Sequence, residues 1–294
     1  MFFGSIPALV TPFGADGALD EAAFRDLVEW QIAEGSSALV ACGTTGEAAT
    51  LPKDEHFRVV RWCVEQARGR VPVIAGTGSN DTVVAAANLR AAHEAGADAA
   101  LMVPPYYNRP SQEGIFRHFI ALAPAAPLPI VLYNVPGRTV TDIHAATAIR
   151  IVQAFPRVFV GIKDATGALQ RVTEHRAALG PDWTQLSGND DLALPFNAMG
   201  GTGCISVTAN VAPRLCADFQ AACASGEWAR AREMHDRLFA LHVALFTDAS
   251  PGPVKYAMTR VRPGFPPTLR LPMTEANDAS RGAVDAGLKH AGLI

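Results

Sequence analysis

Short apolar runs rich in β-branched residues alternate with longer helical patterns along most of this sequence. The alternation repeats about eight times before residue 224. Strands that are joined through helices run parallel, because each helix returns the chain to the starting edge of the sheet. The predicted strands are residues 5–11, 37–42, 71–76, 99–104, 129–134, 158–164, 184–188 and 203–207.

Eight such units favour an α/β fold of the (β/α)8 TIM-barrel type. The alternative is a doubly wound open sheet, which usually carries a glycine-rich phosphate-binding turn after its first strand. Thr11-Pro12-Phe13 occupies that place here. We therefore expect a barrel over residues 1–224 and a helical region over residues 225–294 that packs on it. Helical patterns in the second region cover roughly residues 226–246, 251–262 and 275–291.

Composition and charge exclude several classes of function. The net charge is −3 with no basic stripe, so nothing predicts a nucleic-acid partner. The N-terminal segment is apolar, but it lacks a positive region and is interrupted by Pro7 and Pro12, which argues against a signal peptide or membrane span. The five cysteines and eight histidines lack the spacing of metal ligands. We expect a cytoplasmic protein without a metal site.

Two glycine-rich segments resemble phosphate-binding loops only weakly. Gly76-Thr77-Gly78 lacks the third glycine of the dinucleotide-binding motif, so it predicts a tight turn between strand and helix. No lysine or arginine stands beside Gly200-Gly201-Thr202-Gly203 in the sequence. That segment predicts close backbone packing instead.

Lys163 lies within the sixth predicted strand, in the apolar run 158–165. A buried, unpaired ammonium costs several kcal/mol, so a lysine in such a run usually reaches water at the strand end or has a lowered pKa. A neutral amine is the nucleophile that forms a Schiff base with a ketone. An ion pair with Asp164 is the alternative explanation. Lys255 is a rival amine, but it lies outside the predicted barrel.

Polar side chains also follow other predicted strands, at the end of a barrel where active sites lie. Hydroxyls and phenols can transfer protons, and an arginine can hold a carboxylate with two hydrogen bonds. Such a collection suits a keto acid, although tyrosines at strand ends are also common as structural groups. The side chains are Thr44, Thr45, Tyr106, Tyr107, Tyr133, Arg138 and the segment 187–190.

Six segments together resemble the 4-hydroxy-tetrahydrodipicolinate synthase (dihydrodipicolinate synthase) family, in the family's order and spacing. The similarity runs from residue 1 to residue 294. It implies a (β/α)8 barrel with a C-terminal helical region, assembled as a homotetramer that is a dimer of dimers. It also implies condensation of pyruvate with L-aspartate 4-semialdehyde, in lysine and diaminopimelate biosynthesis, without a cofactor. The segments are GTTGEAATL (43–51), PVIAGTGSN (72–80), PPYYNRPSQEG (104–114), LYNVPGRT (132–139), GIKDATG (161–167) and GCISVTANV (203–211).

The resemblance assigns catalytic roles residue by residue. Lys163 matches the lysine that forms the Schiff base, and Tyr133 matches the phenol that carries protons to and from the imine. Thr44 and Tyr107 match the other members of the proton relay, with Tyr107 supplied by the neighbouring subunit. The implied substrate contacts are Thr45, Gly188, the backbone of Ile205, and Arg138, which would face the carboxylate of the semialdehyde.

Other aldolases use the same lysine and tyrosine on the same barrel, namely N-acetylneuraminate lyase and the keto-deoxy sugar acid aldolases. The segment 134–138 favours the synthase, because Arg138 suits a short acidic aldehyde better than a polyol. A non-catalytic barrel that binds a keto acid is a third hypothesis. It predicts that the site residues would be replaced, and the matched ones are all present.

Regulation is where the sequence departs from part of the family. Lysine-sensitive members carry a glutamate in place of Val84 and a histidine in place of Lys53. A bound lysine would lose a carboxylate partner at the first position and meet a fixed cation at the second. We therefore expect weak or absent feedback inhibition. The positions that match the regulatory site are Ala49, Lys53, His56, Asn80, Val84 and Tyr106.

Overall fold

Eight strands and twelve α-helices make up residues 2–294, the part of the chain that this computed structural model describes. The strands are β1 (Gly4–Pro7), β2 (Leu39–Ala41), β3 (Val73–Gly76), β4 (Ala99–Met102), β5 (Ile130–Asn134), β6 (Phe159–Asp164), β7 (Thr184–Ser187) and β8 (Gly203–Ser206). The helices are α1 (Glu21–Ala33), α2 (Lys53–Ala67), α3 (Thr82–Glu94), α4 (Gln112–Leu122), α5 (Pro136–Thr139), α6 (Ala145–Ala154), α7 (Gln170–Leu179), α8 (Ala193–Ala198), α9 (Pro213–Ala224), α10 (Trp228–Ala244), α11 (Gly252–Val261) and α12 (Asp278–Ala291). Short 3-10 turns cover Ala48–Thr50, Asp190–Leu192 and Thr208–Asn210.

The strands form one parallel sheet that closes on itself. Their order is β1-β8-β7-β6-β5-β4-β3-β2. The two outer strands meet at a parallel bridge between Ala8 and Val40, where the Leu9 N–H donates to the Val40 carbonyl over 3.0 Å. The predicted (β/α)8 barrel is confirmed, and the open doubly wound sheet is excluded.

The regular strands are shorter than predicted by more than one residue at two carboxyl ends. The first was expected to reach residue 11, yet β1 ends at Pro7. The Ala8 and Leu9 N–H groups still donate to carbonyls of the neighbouring strands, those of Ser206 and Val40. The fourth was expected to reach residue 104, yet β4 ends at Met102, shortly before two prolines that have no N–H to donate.

Alternate residues of each strand face opposite sides of the barrel wall. In β5, Ile130 and Leu132 pack among the surrounding helices, whereas Val131 and Tyr133 belong to the cluster inside the barrel. In β6, Ile162 packs outward. The next residue, Lys163, therefore faces inward.

Both glycine-rich segments lie where backbones come close, which was predicted only for the second of them. A Cβ atom on Gly76 would lie 2.0 Å from the Cys42 carbonyl oxygen. A Cβ atom on Gly203 would lie 2.3 Å from the Gly4 carbonyl oxygen. Neither contact leaves room for a side chain, so glycine at these two positions lets neighbouring parts of the barrel wall lie close together.

The three C-terminal helices, α10, α11 and α12, follow the last barrel helix α9 after a short turn. Helix α10 packs against α9 and α12, and α11 packs against α12 and the turn Thr208–Asn210. The predicted helical patterns are thus confirmed, while a domain boundary at residue 224 stays a prediction. Within residues 2–294, none of the helices combines the length and apolar character needed to cross a bilayer.

Candidate active site

Lys163 and Tyr133 are neighbours in the barrel wall. They pair in register between β6 and β5, and Lys163 also pairs with Leu186 of β7. The Lys163 Nζ lies 4.1 Å from the centroid of the Tyr133 ring. Each residue is 6% exposed. The sheet itself therefore holds an amine against a phenol ring inside the barrel.

The alternative explanation for Lys163, an ion pair with Asp164, is wrong. One oxygen of Asp164 accepts hydrogen bonds from the Thr166 N–H at 2.8 Å and the Thr166 hydroxyl at 2.6 Å. Across residues 2–294, Lys163 forms no ion pair with any carboxylate. The two side chains separate because consecutive strand residues face opposite sides of the sheet.

A cavity of about 470 Å³ opens beside Tyr133, which contributes to its lining, whereas Lys163 does not. Thr44, Tyr133 and Arg138 contribute to its lining, together with Lys53 and His56. No aspartate or glutamate is among the lining residues that the described chain supplies. Burial lowers the pKa of His56, against the opposing effect of the hydrogen bond that Nε2 donates to the Gly76 carbonyl at 2.8 Å. The fixed charge of the cavity is therefore positive, which favours an anionic substrate.

Arg138 is the cation nearest to Tyr133 in sequence on this lining. It lies in α5, which begins immediately after β5 and carries Pro136 in its first turn. Within residues 2–294 its guanidinium has no hydrogen-bond or ion-pair partner. A carboxylate in the cavity could use both donor pairs of that fork.

Other residues assigned from the resemblance lie near the strand ends but not on the cavity lining. Thr45 and Ile205 are buried, and Ile205 belongs to the cluster inside the barrel. The Gly188 N–H donates to the Asp164 carbonyl at 2.7 Å. Tyr107 differs from all of them, because it is 88% exposed and has a φ of 71°. The Tyr107 side chain therefore lies outside the mouth of its own barrel.

Asp190, which the sequence marked only as part of the polar segment 187–190, supports the segment that follows Ile205. Its buried carboxylate accepts from the Val207 N–H at 2.9 Å and the Thr208 N–H at 3.2 Å. The Ser206 hydroxyl donates to the same carboxylate. A carboxylate that follows a predicted barrel strand was the available signal. Its contacts could not be read from the sequence, because they join β7 and β8.

Most positions that match the regulatory site line the same cavity. Ala49, Lys53, His56, Val84 and Tyr106 all contribute to its surface. Asn80 does not; its carbonyl accepts from the Asn108 side-chain amide at 2.9 Å. One cavity is therefore lined both by residues that match the family's substrate site and by residues that match its regulatory site.

The contacts of Lys255 could not be predicted from the sequence. It is 0% exposed, and its Nζ lies 2.6 Å from Glu47 Oε1 and donates to the Thr268 carbonyl at 2.7 Å. Burial lowers the pKa of Lys255 to about 8, while Glu47 opposes that shift. Lys255 does not line the cavity. Its place outside the barrel was predicted correctly; its partner was missed.

The sequence as a whole matches a known family. A sequence model described as the Dihydrodipicolinate synthetase family matches residues 1–291. A 4-hydroxy-tetrahydrodipicolinate synthase of Rhizorhabdus wittichii is 64% identical, with 100% of each chain covered. One of Novosphingobium aromaticivorans is 63% identical, covering 100% of this chain and 99% of the other.

Solved structures agree with the sequence relatives. The crystal structure of the chloride-inhibited dihydrodipicolinate synthase from Acinetobacter baumannii, complexed with pyruvate, superposes with a TM-score of 0.95. It is 42% identical to this chain, and 100% of each chain is covered. The backbone that carries Lys163 and Tyr133 is therefore shared along its full length.

Proposed function

The chain belongs to the dihydrodipicolinate synthetase family, and we propose that it joins pyruvate to L-aspartate 4-semialdehyde through a Schiff base on Lys163. The product is 4-hydroxy-tetrahydrodipicolinate, an intermediate of lysine and diaminopimelate biosynthesis, and the enzyme is a lyase. The placement of Lys163 beside Tyr133 inside the barrel is the observation that carries the proposed role of each residue.

The first half of the reaction prepares a carbon nucleophile. The lone pair of Lys163 Nζ adds to the keto carbon of pyruvate, and the oxygen leaves as water once it has gained protons. We assign the transfer of those protons to Tyr133, and the contact of its ring with the amine supports this role. The protonated imine then draws electrons from the methyl group, which loses a proton to give an enamine.

The second half forms the new carbon–carbon bond and releases the lysine. The enamine carbon adds to the aldehyde carbon, and the aldehyde oxygen takes up a proton to become a hydroxyl group. The amino group of the semialdehyde then attacks the imine carbon. Ring closure expels Lys163 as a free amine, so the enzyme returns to its starting state.

The cavity accounts for the choice of an acidic aldehyde. Arg138 lines it without a hydrogen-bond or ion-pair partner among residues 2–294, and Lys53 adds a second cation. Both reactants carry carboxylates, whereas the sugar substrates of the alternative aldolases present mainly hydroxyl groups. A neutral polyol would leave the Arg138 fork without a charged partner, so these enzymes remain the weaker assignment.

The exposure of Tyr107 supports an assembly in which neighbouring subunits share a site. A phenol that is 88% exposed cannot relay protons inside its own barrel, so we propose that it completes the site of a neighbouring subunit in a homotetramer. Thr44 would link the two phenols, with Thr45, Gly188 and Ile205 holding pyruvate. Cytoplasmic localisation and a separate helical region after residue 224 belong to the same proposal.

A panel of aldehydes tests the reaction. Pyruvate would be mixed with L-aspartate 4-semialdehyde, N-acetylmannosamine or short sugar aldehydes, and pyruvate consumption measured for each. We expect the semialdehyde to give the highest kcat/KM, and Arg138→Leu to lower it for that aldehyde while sparing uncharged ones. A higher kcat/KM with a sugar would assign the chain to the alternative aldolases.

A further inference from the structure

We propose that Glu47 and Lys255 are positioning residues, whose buried ion pair holds the loop that carries Thr44 in its working geometry. The loop is residues 43–50, between β2 and α2. Lys255 belongs to α11, so the inference gives the C-terminal helices a part in catalysis. It rests on the role proposed above for Thr44 in proton transfer.

Glu47 is tied directly to the backbone of Thr44. Its N–H donates to the Thr44 carbonyl over 3.1 Å, which closes a turn with Thr44 at its first position. Glu47 itself has a φ of 56°, a left-handed conformation that is uncommon for residues other than glycine. Such a conformation persists where surrounding contacts hold it. The turn therefore depends on what anchors the Glu47 side chain.

The anchor lies entirely in the C-terminal part of the chain. Glu47 Oε1 is 2.6 Å from Lys255 Nζ, and Oε2 accepts from the Arg270 N–H at 3.1 Å. Lys255 also donates to the Thr268 carbonyl and lies over the Phe13 ring, 4.3 Å from its centroid. Both charged side chains are buried, so solvent offers neither of them a replacement partner.

A second contact fixes the middle of the same loop. The Thr11 hydroxyl donates to the Gly46 carbonyl at 2.7 Å. This hydrogen bond and the contacts of the Glu47 side chain hold the buried part of the loop. Thr44 is the exposed residue at its start. Thr44 lines the cavity, whereas Lys255 does not.

Neither chemistry nor stability alone explains the pair. Lys255 of α11 is held by Glu47 and the Thr268 carbonyl, away from Tyr133, so we do not assign it as the Schiff-base amine. Buried ion pairs are often no more stabilising than apolar side chains of similar volume. The charged pair instead fixes the orientation of the loop. A carboxylate that contacts both the Lys255 amine and the Arg270 N–H has little freedom to move.

The central test is the double variant Glu47→Leu/Lys255→Met, which removes both charges and keeps the volume. Glu47→Gln is the conservative variant, since it keeps an acceptor for the Arg270 N–H. Lys289→Met, at an exposed lysine, is the matched control. Each variant would be assayed for kcat, KM for pyruvate, melting temperature, and exchange of the pyruvate methyl protons in D2O.

We expect the double variant to melt close to the wild type and to lose about 10- to 100-fold in kcat, as small misplacements of reacting groups do. Methyl-proton exchange should slow in parallel, while KM for pyruvate and borohydride trapping stay nearly constant. Glu47→Gln should lose less, and Lys289→Met nothing. The triple variant, with Thr44→Val added to the double variant, should have a kcat close to that of Thr44→Val alone. The reason is that both changes disturb the same group.

Wild-type kcat in a folded double variant would overturn the inference, since the pair would then be structural only. So would losses that multiply when Thr44→Val is added. If the single variants do not fold, the double variant still decides. A wild-type protein that neither exchanges methyl protons nor is trapped with pyruvate would instead overturn the proposed function, before any variant is made.

Discussion

The amine of Lys163 lies over the ring of Tyr133, with Nζ 4.1 Å from the ring centroid, and the two residues are direct partners in β6 and β5. Strand register sets this distance, so no loop has to move to bring them together. Within residues 2–294 the Tyr133 hydroxyl has no hydrogen-bond partner, which leaves it free to act on a substrate.

Sodium borohydride added with pyruvate should trap one adduct per chain on Lys163. Reduction converts the imine to a stable secondary amine, which peptide mass spectrometry locates. Lys163→Met should remove the adduct, whereas Lys289→Met should retain it. Modification of Lys255 in place of Lys163 would contradict the assignment.

Replacing Tyr133 with Phe should lower kcat by roughly 10²- to 10⁴-fold, the range for a lost acid–base group. The melting temperature should change little, because the hydroxyl makes no hydrogen bond within the described chain. Steady-state kinetics and thermal unfolding measure the two effects. Parallel losses of activity and stability would identify a structural phenol.

Mixing two inactive variants should restore activity if Tyr107 acts across subunits. In a hybrid of Lys163→Met and Tyr107→Phe chains, one site combines an intact Lys163 with an intact Tyr107 from its neighbour. The chains would be unfolded together, refolded and assayed. Refolding each variant separately is the control. Failure of the mixture, with hybrid assembly verified by mass, would mean that Tyr107 acts within its own chain.

L-lysine should inhibit weakly, with half-inhibition above about 1 mM, an affinity of roughly 4 kcal/mol. Val84 lines the cavity where a carboxylate would be needed, and Lys53 adds a like charge. Initial rates at saturating substrates give the value. Val84→Glu/Lys53→His should strengthen inhibition about tenfold or more, as a restored charge pair would. Submillimolar inhibition of the wild type would reveal another partner for the ligand.

The fold should lose stability as pH falls below about 6.5. Burial lowers the pKa of His118 from 6.5 to about 4, against the opposing charge of Asp81, and the Nδ1 atom lies 2.9 Å from the Thr82 hydroxyl. Between these values the unfolded chain binds a proton that the folded protein excludes, so unfolding becomes easier by up to about 3 kcal/mol near pH 4.

Urea unfolding at several pH values measures this dependence. His118→Gln should flatten it, whereas the exposed His93→Gln should leave it unchanged. An equal pH dependence in His118→Gln would assign the effect to other groups.

The barrel and its lysine were predictable because each depends on local pattern. An apolar run with a single lysine marks a buried strand, and Lys163 could be placed on it without knowing its neighbours. Its pairing with Tyr133 could not be predicted in the same way. The register between β5 and β6 shifts between Ile130 and Val131, and a shift of this kind leaves no mark in the apolar pattern.

The Glu47–Lys255 pair could not be predicted from the sequence, for a related reason. Lys255 was predicted only as a rival amine, and Glu47 entered only as part of the segment 43–51 after the second predicted strand. Their contact joins the loop 43–50 to a helix near the other end of the chain. A partner chosen by tertiary packing cannot be identified from either local segment.

Closure of the sheet through β1 and β8 has a consequence for synthesis on the ribosome. Gly4 pairs with Gly203, so the edge of the first strand that faces β8 waits for almost the whole barrel to be translated before its partner exists. At roughly 5 to 20 residues per second, that interval lasts about 10 to 40 s. Throughout it, the nascent chain presents an unpaired strand edge to other polypeptides. Chaperones that shield such edges should therefore raise the yield of this protein more than that of a protein whose strands pair locally.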